Sequence, residues 1–593
     1  MLKLLSLLAC LPLLLIPAPA AAADAPVAGD PVVDGDRLTL FGSDAGGRNT
    51  LTELASADGA DGPVFRVETR DPVRAAWGLQ LVTDTVAPVR EGDVLHASFR
   101  ARSAGSMVGD ATLEFLFERS GGNWSKSVAH PATVGLAWTT LNVPFRADGD
   151  YAPGEAHVSI RVGHPDQALE VAGLRVVNLG PDADPAALPA TPRGYAGIEP
   201  DAPWRAEAAE RIERHRKAGL AVRVVDADGE PVGGAVVAVE MTRHAFGFGT
   251  AVGADALVED TPDSRRYRGV IEDNFNEVVF ENDLKWASAD SGDRPVAEAL
   301  DWLEARGIAA RGHCLVWPSW ERIPGRVRAY EDDPEALREA VRRRVHDAVA
   351  EHAGRLIDWD VVNEVYKNHE VVDLLGEPAE VMADWFRVAH EADPAARLYI
   401  NDYGILSAGG ADETHQAAYE ETIRSLQAEG APIHGVGMQA HFGRSLTPPA
   451  KLIGVLDRFA ATGLSIKATE FDVATDDEGL QAAYVRDFLT ALYSHPAVDA
   501  VVIWGFWEER HWRPEAAWWR TDFSEKPAAA AYRGLVFGDW WTSETLTTDA
   551  SGEAAVRGFL GDHELTVTAP GHAPVTRRVR LTPAGASEEI RLD

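Results

Sequence analysis

Cysteine is nearly missing from this chain. Of 593 residues only Cys10 and Cys314 carry a thiol, and Cys10 lies in an N-terminal stretch expected to be removed. One remaining cysteine excludes an internal disulfide framework and any paired-cysteine metal site, so the cores must suffice for stability. Basic residues are also scarce: 56 Lys and Arg stand against 92 Asp and Glu, a net charge of −36. That field repels phosphate backbones and anionic membranes, which excludes nucleic acid as a natural partner; its plain use is solubility. Neither an H-E-x-x-H pair nor a Gly-rich phosphate loop is present, so no metal and no cofactor is expected.

Long apolar runs are missing too, with one exception. Leu4 to Ile16 follows Lys3 and precedes Pro17 and a small-residue tract ending near Ala23. The run falls short of the ~20 apolar residues a membrane span needs, and its order of charge, apolar core and small residues is that of a secretory signal. Residues 1–23 are therefore set aside as a signal peptide. The mature chain is expected to be secreted or periplasmic, free of the membrane, and monomeric.

What is present divides the chain into parts. Residues 24–180 carry short alternating segments such as VLHASFRARS, ATLEFLFERS and AHVSIRVG between Gly, Pro, Asp and Asn turns, the pattern of a β-sandwich. A Pro- and Ala-rich stretch with a short charged helix follows at 181–217 and reads as a linker. From 246 to 543 eight apolar β-type runs alternate with amphipathic helical stretches, several of them ending at Gly. Eight strand–helix units in about 300 residues indicate a (β/α)8 TIM barrel; an open doubly wound sheet is disfavoured because no phosphate loop follows the first run. The flanks, 218–245 and 544–593, are each too short for a stable sandwich. Together they resemble one small transthyretin-like β domain into which the barrel is inserted.

Chemistry concentrates at two glutamates. Glu364 closes DWDVVNE and Glu470 lies in SIKATEFD, 106 residues apart. Charged side chains are seldom left at the buried end of a strand without a purpose, and two acids facing one cleft suit the cleavage of a glycosidic bond. Polar residues recur at the ends of the other runs: Glu281, Asn282, Lys285 and Trp286 after the second, His313 and Trp317 in and after the third, Asn363 beside Glu364. Asn401, Asp402 and Tyr403 end the fifth, Gln439 and His441 the sixth, Asp472 the seventh and Trp504 the eighth. In a barrel these ends share one face.

The set F-N-x-x-x-x-E-N-x-x-K-W, G-H-x-L-V-W, W-D-V-V-N-E and T-E-x-D, all present in this order, resembles glycoside hydrolase family 10, the endo-β-1,4-xylanases, over about half of the chain. The resemblance implies a secreted hydrolase of plant cell-wall xylan, with Glu364 as general acid/base and Glu470 as nucleophile of a retaining double displacement. It implies supporting roles for Asn363, Gln439, His441 and Asp472, and a sugar-binding wall of Glu281, Asn282, Lys285, His313, Trp317 and Tyr403, with Trp504 and Trp512 stacking on or roofing the sugar. Glu364 is expected to be kept protonated by the neighbouring charge of Glu470. Pro318, Ser319 and Trp320 depart from the family's usual His-x-Gln after Trp317, and EERH at 508–511 adds bulk and charge to the last loop. The acids after Glu470, in DVATDDEG, are expected to cap a helix. Residues 24–180 resemble jelly-roll carbohydrate-binding modules, with Trp77 and Trp124 as exposed candidates and Trp138 expected to pack; a spacer or stability domain is the other reading of this part. Two other functions stay open: a related β-1,4 or mixed-linkage glucanase, and a catalytically silent polysaccharide-binding protein.

Overall fold

The computed structural model describes residues 27–593, apart from 55–61, 72, 74, 107–110, 165–166, 192–193, 291, 293, 411 and 444–445. The signal-peptide reading of residues 1–23 lies outside the described residues.

Eight parallel strands form the centre: β1 Gly247–Val252, β2 Glu277–Phe280, β3 Ala309–Val316, β4 Asp358–Asn363, β5 Arg397–Asp402, β6 Gly435–Met438, β7 Ser465–Val473 and β8 Val498–Ile503. Each pairs with the next, β1 pairs with β8, and the sheet closes on itself as a TIM barrel without an open edge. Strand β4 is buried at every position, as expected of a parallel strand covered on both faces. The register shifts between His313 and Val316 of β3 and between Asp360 and Val362 of β4. These irregularities sit just before Trp317 and Glu364 in the chain, and a bulge of this kind re-aims the side chains beside it.

The inside of the barrel is not wholly apolar. Lys467 donates to Glu277 Oε1 at 2.8 Å and to Asp358 Oδ2 at 2.7 Å. Arg311, fully buried, donates to Asp358 Oδ1 at 2.7 Å and to Asp360 Oδ1 at 2.9 Å. Asp360 in turn faces His313 Nδ1 at 2.9 Å. A chain of paired charges thus runs from the closed end of the barrel to the first residue of the site.

The N-terminal part is a sandwich of a six-stranded and a five-stranded sheet around a core that includes Phe99, Phe115 and Phe117. The linker is not free. Tyr195 Oη donates to Asp487 at 2.9 Å, Arg205 pairs with the same carboxylate at 2.7 Å, and Trp204, Ala208 and Ile212 of the helix Pro203–His215 join the barrel's hydrophobic core. The stretch at 181–217 reads as a spacer by composition and straps onto the helix Glu478–Ser494 by packing. The strands Lys217–Val225 and Val236–His244 pair with strands from the C-terminal end, Glu553–Phe559, Ala586–Arg591, Ser543–Thr547 and Gly561–Thr568. Their shared core encloses segments that leave and return on either side of the barrel, and their strands begin one residue before the boundaries set at 218 and 544.

Candidate active site

Glu364 follows β4 directly and is held at φ 56°, a left-handed backbone that non-glycine residues adopt at a cost. Its N–H donates to the Asn401 carbonyl at 2.8 Å. Gln439 Nε2 donates to its Oε1 at 2.8 Å, and Asn368 Nδ2 lies 3.3 Å from its Oε2. Glu470, within β7, is 4% exposed. Its N–H donates to the Gln439 carbonyl at 2.9 Å; Asn401 Nδ2 donates to Oε1 at 2.8 Å and His441 Nε2 meets Oε2 at 3.1 Å.

The two carboxyl groups are pushed in opposite directions. Burial raises the Glu364 pKa, the charges of Glu470 and Asp402 add to it, and the Gln439 hydrogen bond only partly offsets them. The neighbouring charge is thus the smaller cause, where the sequence suggested it as the main one. Burial would raise Glu470 as well, but the His441 hydrogen bond and the fields of His313, His441 and Lys285 outweigh it and leave the pKa below its ordinary value. One acid tends to keep its proton and the other to lose it.

His441 is the hinge of this asymmetry. Its Nδ1 lies 3.1 Å from Asp472 Oδ1, a charge contact without the alignment of a good hydrogen bond. Burial opposes its protonation, yet Asp472 and Glu470 together raise its pKa to about 9. Asp472 is itself held by Trp512 Nε1 at 2.8 Å and by Arg513. Asn363 accepts from Asn401 Nδ2 at 2.9 Å and its own buried Nδ2 has no acceptor among the described residues; no direct bond joins it to Glu364.

Along the opposite wall, Lys285 donates to Asn282 Oδ1 at 2.9 Å and its ammonium stands 5.5 Å from the Trp317 ring and 5.8 Å from the Trp504 ring. Trp504 meets His313 edge-on at 5.2 Å and is 6% exposed, whereas Trp512 is 55% exposed with its ring 4.9 Å from His441. Tyr403 lies against His415, with a buried hydroxyl that has no partner among the described residues. Glu281 and Asn282 border a cavity of about 400 Å³ whose far side is built by Asp255, Arg510 and His511. Three residues of the EERH segment, Glu509, Arg510 and His511, are therefore part of the wall: Arg510 forks onto Asp255 at 2.9 and 3.0 Å, and His511 is buried with its pKa lowered to about 4. Pro318 and Ser319 are packed, the Pro318 carbonyl accepting from Val371 N–H at 3.2 Å. Trp507, Trp518, Trp519 and Trp540 are core residues. Downstream of Glu470, Asp477 caps the helix Glu478–Ser494 through Leu480 N–H.

The family model of Glycosyl hydrolase family 10 matches residues 238–534, half of the chain. The chain belongs to this family. Among the relatives of this family 10 chain, the anti-sigma-I factor RsgI6 of Acetivibrio thermocellus is 34% identical over 62% of this chain and 47% of its own length. Endo-1,4-beta-xylanase 1 of Arabidopsis thaliana is 27% identical over 65% of this chain and 40% of its own length. The chain thus spans less than half the length of these curated relatives. Xylanase 10B of Thermotoga petrophila, solved in complex with xylobiose, is 26% identical over 50% of this chain and 95% of that one, with a TM-score of 0.45.

Asn401, Asn368, Asp360 and Arg513 are contacts that the reading of single motifs did not assign. Asn368 stands four residues after Glu364, a spacing that a turn after a strand brings together. Arg513 carries no local signal, since its partner Asp472 is 41 residues away.

Proposed function

We propose that this family 10 chain is a secreted, retaining endo-β-1,4-xylanase acting on cell-wall xylan. The observation that carries the reading is the pair of carboxyl groups, Glu364 and Glu470, held in one hydrogen-bonded frame by Asn401 and Gln439, with burial raising the Glu364 pKa and the hydrogen bond and charge of His441 lowering that of Glu470. In this reading the Glu470 carboxylate attacks the anomeric carbon while Glu364 gives its proton to the departing glycosidic oxygen. The C–O bond to the leaving sugar breaks as the glycosyl ester forms. Glu364, now a carboxylate, takes a proton from water, and the hydroxide oxygen displaces Glu470, which leaves as the carboxylate it began as. His441, kept cationic by Asp472, favours the ionised Glu470 at the start and at the end. Glu281, Asn282, Lys285, His313, Trp317, Tyr403, Trp504 and Trp512 are assigned to sugar hydroxyls and faces. The xylanases among its relatives support the choice of xylan.

The experiment is release of reducing ends from xylan, carboxymethyl cellulose and mixed-linkage glucan by the full chain, with the anomer of the first product followed by proton NMR. Xylan cleavage giving the β-anomer first, lost in Glu364→Ala and Glu470→Ala, is the expected result. An α-anomer overturns retention. Cleavage of glucan alone overturns the substrate, and binding without cleavage returns the chain to a silent polysaccharide-binding protein.

A further inference from the structure

Large exposed apolar side chains are few among the described residues, and three of them, Phe41, Trp77 and Trp124, are 55, 53 and 44% exposed around one cavity of about 320 Å³ on the five-stranded sheet of the sandwich. Trp124 is held at φ 52° by a Gly-Gly-Asn turn, its carbonyl accepting from Lys126 Nζ at 2.7 Å and its ring set edge-on to His157. A side chain kept exposed on a strained backbone is positioned rather than incidental. The floor is polar, and its charges are paired: Glu118 faces Lys126 at 3.0 Å and His157 at 3.4 Å, and Arg161 pairs with Glu114 at 3.0 Å. Aromatic faces above a polar floor with balanced charge suit a neutral polyhydroxylated chain, whose sugar rings offer an apolar face and hydroxyl edges.

Lys126 also opens the outermost strand of that sheet, Lys126–Val134, and the next residues of this strand wall a second cavity of about 480 Å³. The opposite wall belongs to the barrel: Gly443 after β6, Ala474 and Thr475 after β7, and Arg513 after β8. The two bodies touch elsewhere too, for the His164 ring packs so closely on Gly409 that a β-carbon there would lie 2.7 Å from it. Arg513 pairs with Asp472, Asp472 lies 3.1 Å from His441 and His441 3.1 Å from Glu470. One residue is thus common to the aromatic face and the groove, and another to the groove and the frame of the catalytic glutamates.

We propose that the aromatic face, the interdomain groove and the catalytic cleft form a single track that holds one uncharged β-1,4-linked polysaccharide chain along its length. This rests on the xylanase reading and adds to it: the resemblance of the sandwich implies glycan binding, and the docking makes that glycan the same molecule as the one being cut. Contacts on the sandwich then raise the effective concentration of polymer at the cleft, which a short substrate cannot exploit.

The test uses the full chain and the ratio of kcat/KM on long soluble xylan to that on a short xylo-oligosaccharide. Trp77→Ala with Trp124→Ala removes the face; Ala129→Trp and Ala474→Trp fill the groove from either wall, so that if one fails to fold the other still reports, with thermal unfolding as the control. The ratio is expected to fall roughly five-fold or more in each, and the losses to be less than additive when face and groove variants are combined. An unchanged ratio, or a loss confined to the tryptophan variants, overturns the single track. Retardation by soluble xylan in an affinity gel, measured in a Glu364→Gln, Glu470→Gln background with the same variants, reads the track without hydrolysis. A failure of the xylanase reading therefore stays distinguishable from a failure of this one.

Discussion

Asn401 and Gln439 hold the two glutamates crosswise. The Asn401 carbonyl accepts from the backbone of Glu364 while its side-chain amide donates to the carboxylate of Glu470; the Gln439 carbonyl accepts from the backbone of Glu470 while its amide donates to the carboxylate of Glu364. Each carboxyl group is aimed by the residue that fixes the other's main chain, so the pair is placed as a unit and a shift of β5 or β6 displaces both acids.

Gln439 lowers the proton affinity of Glu364 against the burial that raises it. In Gln439→Ala the pKa of Glu364 rises further, its acid form survives to higher pH, and the alkaline limb of kcat/KM moves upward with kcat reduced. A pH–rate profile on a soluble substrate checks the direction; an alkaline limb that moves down or stays put refutes it.

His441→Gln acts on the other limb. Loss of its hydrogen bond and field raises the Glu470 pKa, so the acidic limb moves to higher pH. The same residue links stability to pH. Its folded pKa, about 9, exceeds its unfolded value, so its contribution is full below about pH 6.5 and is lost as pH rises through about 9. The difference in unfolding free energy between the parent chain and His441→Gln, from urea titrations at pH 6 and pH 10, is expected to shrink by about 3 kcal/mol.

Glu364→Gln removes proton donation and leaves attack intact. In kcat/KM the loss on xylan is expected to be ~10²- to 10⁴-fold and much smaller on an aryl xyloside, whose phenolate departs unprotonated, while kcat on the aryl xyloside falls because the base for hydrolysis of the glycosyl ester is gone. Equal losses in kcat/KM on both substrates would assign Glu364 a different role.

Lys467→Met strands the buried carboxylates Glu277 and Asp358, which Lys467 bridges. Breaking a buried pair on one side costs about 3–5 kcal/mol, to be read as a fall in the denaturation midpoint. A change under about 1 kcal/mol would show that Arg311 alone neutralises the cluster.

The barrel was legible because each parallel strand is buried on both faces and writes itself as an apolar, β-rich run, and because its functional residues must stand at one end of such runs. The same logic singled out Glu364 after β4 and Glu470 in β7. The Arg513–Asp472 pair and the reach of Asp360 to His313 were not legible, since they join loops or strands with no common period. Nor was the strap at 181–217: Pro and Ala announce a spacer, but Tyr195 and Arg205 find Asp487 only once the helix Glu478–Ser494 lies against them.

By itself, then, the sequence determined which residues stand at the mouth of the barrel, because strand burial and strand ends are properties of local pattern. Tertiary structure alone decided their protonation and company. Proton affinity depends on burial and on charges brought near from other strands, and the seam between sandwich and barrel depends on surfaces that meet only after both have folded.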